Sequence, residues 1–122
     1  MNSIEERTVY NSRLRIMHER KKMKLSFAEL RSVAMVTLIA VSFFEARKGL
    51  TQEEEGKFFN LVQLSQRLGQ RLLSQKEKYT ISMNYSEVAT MAMVYRMVTG
   101  VMMGPYDRMV AYTVSEQLNI RE

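Results

Sequence analysis

Hydrophobic and polar residues along this chain recur mostly at helical spacing, and one device marks where each run begins. In a capping box, a Ser, Thr or Asn side chain bonds the backbone N–H three residues on, and a Glu there bonds back. Ser3 with Glu6, Ser26 with Glu29, Thr51 with Glu54 and Asn84 with Glu87 all have this spacing. Leu25 and Leu30 bracket the second box, and Met83 and Val88 the fourth, as hydrophobic staples. The stops are as legible. Gly49 follows Arg47 and Lys48, a cationic last turn ended by glycine, and Gly104-Pro105 closes one helix and opens the next.

These signals predict helices over 4–23, 27–48, 52–76, 85–103 and 105–119. The short connection after Lys48 predicts an antiparallel hairpin of the second and third. Between Lys76 and Asn84, the apolar Tyr79, Ile81 and Met83 alternate with Thr80 and Ser82. With no second strand in view, that stretch reads as a linker pinned to the core by alternate side chains.

Steps of 100° per residue sort the predicted helices by burial. The run 52–76 has one apolar face, including Leu61, Leu64, Leu68 and Leu72, opposite Asn60, Gln63, Arg67 and Gln70. The run 105–119 is similar, with Tyr106, Met109, Val110, Val114 and Leu118 inward. Helix 27–48 is apolar all round and must be surrounded. Helix 85–103 is nearly as apolar, with Met91, Met93, Met97, Val101 and Met102 among the residues covering most of its circumference. The expected fold is therefore all-α, one domain over 1–122. It is a compact bundle of about five helices around a central apolar helix (27–48), which forms an antiparallel hairpin with helix 52–76.

Composition changes this picture little and excludes much. An apolar fraction of 46% and a charged fraction of 25% are those of a globular domain. There is no cysteine, so thiolate metal sites and thiol nucleophiles are excluded. The first fifteen residues lack the apolar run of a signal peptide, and the longest uncharged run before the last third, 32–44, is too short for a membrane span. A cytoplasmic protein with no membrane span is the expectation.

Catalytic chemistry finds no foothold. His18, the single histidine, has no second ligand at helical spacing. The carboxylates Glu53, Glu54 and Glu55 sit in a helix first turn, where capping and the helix dipole account for them. The Gly100–Gly104 spacing lies within an apolar helix and is no phosphate loop. We expect no enzyme, no cofactor, no metal and no small-molecule substrate.

Charge is more informative. Arg13, Arg15, Arg20, Lys21, Lys22 and Lys24 lie within twelve residues and face only Glu19, so this segment alone carries +5, the net charge of the whole chain. Such a patch attracts polyanions, although cations in a helix last turn are also favoured by the dipole alone. A helix-turn-helix made from 27–48 and 52–76 does not fit, because its first helix is long and fully apolar. Seven of the eleven methionines lie between Met83 and Met109, and adaptable Met suits binding surfaces. The expected function is a non-enzymatic interaction module. It self-associates or docks a partner protein through helices 85–103 and 105–119, using Met91, Met93, Met97, Val101, Met102 and Met109. The alternative is a small basic subunit that contacts the phosphate backbone of DNA or RNA through residues 13–24.

Overall fold

The computed structural model describes residues 19–98 and 102–120. Their order is β1 (Lys21–Ser26), α1 (Phe27–Ala46), α2 (Gln52–Leu72), β2 (Lys78–Met83), α3 (Tyr85–Met97) and α4 (Pro105–Leu118). The two strands form an antiparallel ribbon. The fold is thus a mixed α/β arrangement of four helices and a ribbon, and the expectation of an all-α five-helix bundle is corrected.

The error lay in Lys21–Ser26 and Lys78–Met83. Helical spacing assigns 21–23 to the end of helix 4–23, whose residues 4–18 fall outside the described ones, and leaves 78–83 as a linker. Each strand looks weak alone, but Met23 and Leu25 alternate with Lys22 and Lys24 as Tyr79, Ile81 and Met83 alternate with Thr80 and Ser82. Pairing buries all five apolar side chains on one face. It also sets Lys22 and Lys24 side by side on the opposite, solvent-facing side.

The register carries the symmetry of the molecule. Met23 pairs with Ile81, Lys22 with Ser82 and Lys24 with Thr80. Ser26 and Asn84, the N-caps of α1 and α3, are related by the same 58-residue step as Met23 and Ile81. Met23 therefore pairs with its own counterpart, and an approximate two-fold axis passes through that pair. The element order repeats, β1-α1-α2 then β2-α3-α4, but the second pair of helices packs less closely than the first, with a wide cleft between α3 and α4.

Burial follows it. Val33, Val36 and Ala40 of α1 match Met91, Val94 and Val98 in and just after α3, while Leu61, Leu64 and Leu68 of α2 match Ala111, Val114 and Leu118 of α4; all are buried. The core runs from the ribbon face, where Met23, Ile81, Leu68 and Leu118 meet, to a far cluster of Val36, Ala40, Phe44, Leu61, Val94 and Val98. Both clusters draw on both halves, so neither half closes its own core.

Three of the predicted capping boxes lie in the described residues, and all three form, at Ser26, Thr51 and Asn84. Arg47 bridges the turn to Glu54 at 2.5 Å, and the rings of Phe44 and Phe58 are 5.5 Å apart. At the other ends of the same helices Phe27 and Leu72 line one cleft, so α1 and α2 form an antiparallel hairpin.

The notion that helix 27–48 is surrounded is also corrected. Met35 and Leu38 are each 54% exposed, and Phe27 joins them on an open stripe. By length and composition α1 passes the test for a membrane span, with mean hydropathy 1.7. Eight of its residues are nevertheless buried in this core, which is how the central helix of a packed domain meets the same test.

Candidate nucleic-acid interface

Alternation in a paired strand sends successive side chains to opposite faces. The inward set packs on the helices; the outward set is Lys22 and Lys24 from β1 with Thr80 and Ser82 from β2, extended at the ends by Arg20 and Lys78. Lys22, Lys24, Thr80 and Lys78 are exposed, and Ser82 is half-buried. Neither strand contains a carboxylate. No ion pair engages Lys22 or Lys24 among the described residues. The ribbon thus presents a short, basic, solvent-facing strip.

Helices hold its two edges in place. On the β1 edge, the Gln117 amide imitates a third strand: its Oε1 accepts from the Lys24 N–H at 2.6 Å and its Nε2 donates to the Lys24 C=O at 3.0 Å. On the β2 edge, the guanidinium of Arg67 donates to the Ser82 C=O at 2.7 Å and pairs with Glu87. Arg71 adds a long bond to the Thr80 C=O at 3.4 Å, and its guanidinium lies 5.9 Å from the centre of the Tyr79 ring. Lys24 and Ser82 are two-fold mates, and so are Gln117 and Arg67 on α4 and α2. Both unpaired edges are therefore occupied, which fixes the ribbon on its core and blocks further strand pairing.

Arg20 adds a cation beside this strip. Its Nε donates to Ser82 Oγ at 2.7 Å and its Nη2 to the Ser82 C=O at 3.0 Å. It shares with Arg67, Asn60, Asn84 and Ser86 a polar cleft of about 430 Å³ at the start of α3.

Of the expected polyanion residues, Arg20, Lys21, Lys22 and Lys24 come together on or beside the ribbon; Arg13 and Arg15 lie outside the described residues. Lys78, Thr80, Ser82 and Arg67 escaped the sequence reading. The signal that marks three of them is the alternation of 78–83, which gains meaning only once 21–26 is seen to share it.

The expected partner-interface residues scatter. Met91 is fully buried in the ribbon-side core. Met93 and Met97 are half-buried against the far cluster, Met102 and Met109 are exposed, and Val101 lies outside the described residues. Met109 lies on α4 with exposed Tyr106 and Tyr112. Behind it, between α3 and α4, lies a cleft of about 980 Å³ lined by Tyr95, Arg96, Arg108 and Tyr112.

Tyr95 is the one anomaly in the packing. Its hydroxyl is the only buried side-chain polar atom without a hydrogen-bond partner among the described residues. Burial, and then the nearby Asp107 charge, push its ionisation far above the ordinary tyrosine range. No nucleophile and base converge there, and no group of three His, Asp or Glu side chains gathers anywhere among the described residues.

Fold and surface together define a class: an antiparallel β-ribbon with a basic outward face, each strand followed by two helices. No family model, curated protein or solved structure matches the chain.

Proposed function

We propose that this protein binds duplex DNA through the outward face of its ribbon. The observation that carries the reading is the pairing of β1 with β2, which turns a run of lysines into an exposed strip two strands wide with no carboxylate in it. The major groove of B-form DNA admits a two-stranded ribbon, and alternate side chains on its outer face then point at base edges. Flanking cations suit the phosphates on either side, where each neutralised charge releases counterions.

The same geometry argues against other nucleic acids. Single strands are held by stacking on exposed aromatics, and the one aromatic ring of the ribbon, Tyr79, faces the core. The major groove of an RNA duplex is too deep and narrow to be read this way.

The test is fluorescence anisotropy with a labelled DNA duplex over a range of salt. Binding is expected to weaken linearly in log–log form, by ~0.9 in slope per phosphate contact. The double variant Lys22→Glu/Lys24→Glu is expected to abolish it while keeping the native circular dichroism. Lys48→Glu, in the turn at the far end of α1, serves as a charge control and is expected to bind nearly as well as the parent. Equal losses in the two variants would sink the ribbon reading in favour of diffuse charge.

A second reading rests on the last helix. Tyr106, Met109 and Tyr112 form an exposed stripe at helical spacing on α4, with exposed Met102 just before the helix. That stripe suits self-association or a protein partner, as the methionine distribution suggested. Sedimentation of the parent and of Met109→Glu/Tyr112→Glu tests it: a parent that is monomeric at tens of micromolar removes self-association.

A further inference from the structure

We propose that one copy of this chain reads a non-palindromic DNA site, an inference that rests on the ribbon being the DNA-binding face. Readers built from two identical chains impose their two-fold symmetry on the site, so that the operator is a palindrome. Here both strands of the ribbon come from one chain, and the two-fold axis through Met23 and Ile81 relates residues that are free to differ. Inside, they are alike: Met23 faces Ile81, and Leu25 corresponds to Met83, all buried. Outside, the two positions nearest the axis differ. Lys22 corresponds to Thr80, and Lys24 to Ser82.

The consequence for recognition follows from the register. Lys22 lies across from Ser82 on one side of the axis, and Lys24 across from Thr80 on the other. Any two base pairs related by the axis therefore meet a lysine in one case and a short hydroxyl in the other. Lysine donates to the O6 and N7 of guanine, whereas Ser and Thr hydroxyls accept or donate and suit several bases. A guanine preference thus arises at one member of each symmetric pair and not at its mate. Ser82 is further set apart because its hydroxyl already accepts from Arg20 at 2.7 Å. Arg20 and Lys78, the next pair outward, are both cationic and preserve symmetry only at the flanks.

The experiment is selection from a randomised DNA duplex pool using the full chain, with the protein-to-duplex ratio measured by native mass spectrometry. The expected result is one chain per duplex and a consensus that does not match its own reverse complement. Inverting one guanine-bearing half is expected to weaken binding about tenfold. Two reciprocal variants make the ribbon symmetric: Thr80→Lys/Ser82→Lys and Lys22→Thr/Lys24→Ser. The first is expected to shift the consensus toward a palindrome, and the second, which removes both lysines, is expected to lose the guanine preference and bind weakly, so that it tests the same assignment if the first folds poorly.

A palindromic consensus from the parent, or two chains on each selected duplex, overturns the inference. So does retention of duplexes with no sequence preference, although the ribbon reading then stands if Lys22→Glu/Lys24→Glu still abolishes binding. No duplex retained at low salt removes both.

Discussion

The two halves of this molecule, β1-α1-α2 and β2-α3-α4, are alike where they meet and unlike where they face water. Val33 and Met91, Val36 and Val94, Leu64 and Val114, Leu68 and Leu118 occupy matching buried positions. The outward ribbon positions hold Lys22 and Lys24 on one strand and Thr80 and Ser82 on the other. A shared core explains the first fact, because each of these positions must be apolar to be buried even where the side chains differ in size, as Leu61 and Ala111 do. Nothing comparable constrains the outer face, so its differences are where selection for a partner can be written. The edges show an intermediate case: Gln117 and Arg67 both bond a strand edge but with different chemistry.

The largest expected effects test whether the halves form one unit. Leu68→Ala and Leu118→Ala truncate mates in the ribbon-side core, and each should cost about 3 kcal/mol in urea unfolding. Because that core interleaves both halves, each variant should still unfold in one transition, by fluorescence and by circular dichroism alike. Two separated transitions would break the symmetry argument at its base. Next come the edges. Arg67→Ala leaves Glu87 without its ion-pair partner and frees the Ser82 carbonyl, at an expected cost of about 2 kcal/mol after allowing for partial exposure. Gln117→Ala should cost about 1 kcal/mol, since Lys24 is exposed and water can replace the amide.

Much of the helical fold was legible because its signals are local. Ser26, Thr51 and Asn84 each sit three residues before a glutamate, and a reader needs nothing else to place the start of a helix there. The ribbon was not legible, since its evidence is split between segments more than fifty residues apart in sequence. Met23 and Leu25 are too few to establish a period of two, and the lysines among them resemble a helix end. The lysine run is conspicuous for the same local reason, whereas Thr80 and Ser82, which the ribbon sets beside it, carry no charge to draw notice. A methionine-rich helix looks the same from sequence whether its neighbours are its own core, as at Met91, or another protein.

Tyr95 sharpens the comparison through its mate Thr37. The threonine is fully buried, but its hydroxyl donates to the Ala34 carbonyl at 2.7 Å; the tyrosine hydroxyl has no partner. Tyr95→Phe removes an orphaned polar atom and is expected to raise stability by about 1 kcal/mol, whereas Thr37→Val should be neutral or slightly destabilising. The raised ionisation of Tyr95 gives a second readout. Burial disfavours the phenolate in the native state only, so Tyr95 does not affect the pH dependence below its ordinary value of 10.0 and lowers stability as pH climbs above it. Alkaline ultraviolet titration should therefore show Tyr95 un-ionised until the protein unfolds, with the parent and Tyr95→Phe giving the same native-state amplitude.

The smallest effect concerns the starts of α2 and α4. The second helix of one half, α2, starts at Thr51 with a complete box; its counterpart α4 starts at Gly104 with no side-chain cap. Gly104 has φ −68° and ψ 170°, an extended conformation open to any residue, and a Cβ there meets nothing within 4 Å. Gly104→Ser should thus gain a few tenths of a kcal/mol, while Thr51→Ala should lose about 1 kcal/mol. The caps also differ in their response to acid. Bonds from the backbone and side chain of Thr51, and then the charge of Arg47, hold Glu54 below its ordinary pKa of 4.5. Its contribution is full above that value and fades as pH falls through the depressed one. Comparing urea midpoints at neutral and mildly acid pH, Glu54→Gln should lose less stability than the parent on acidification.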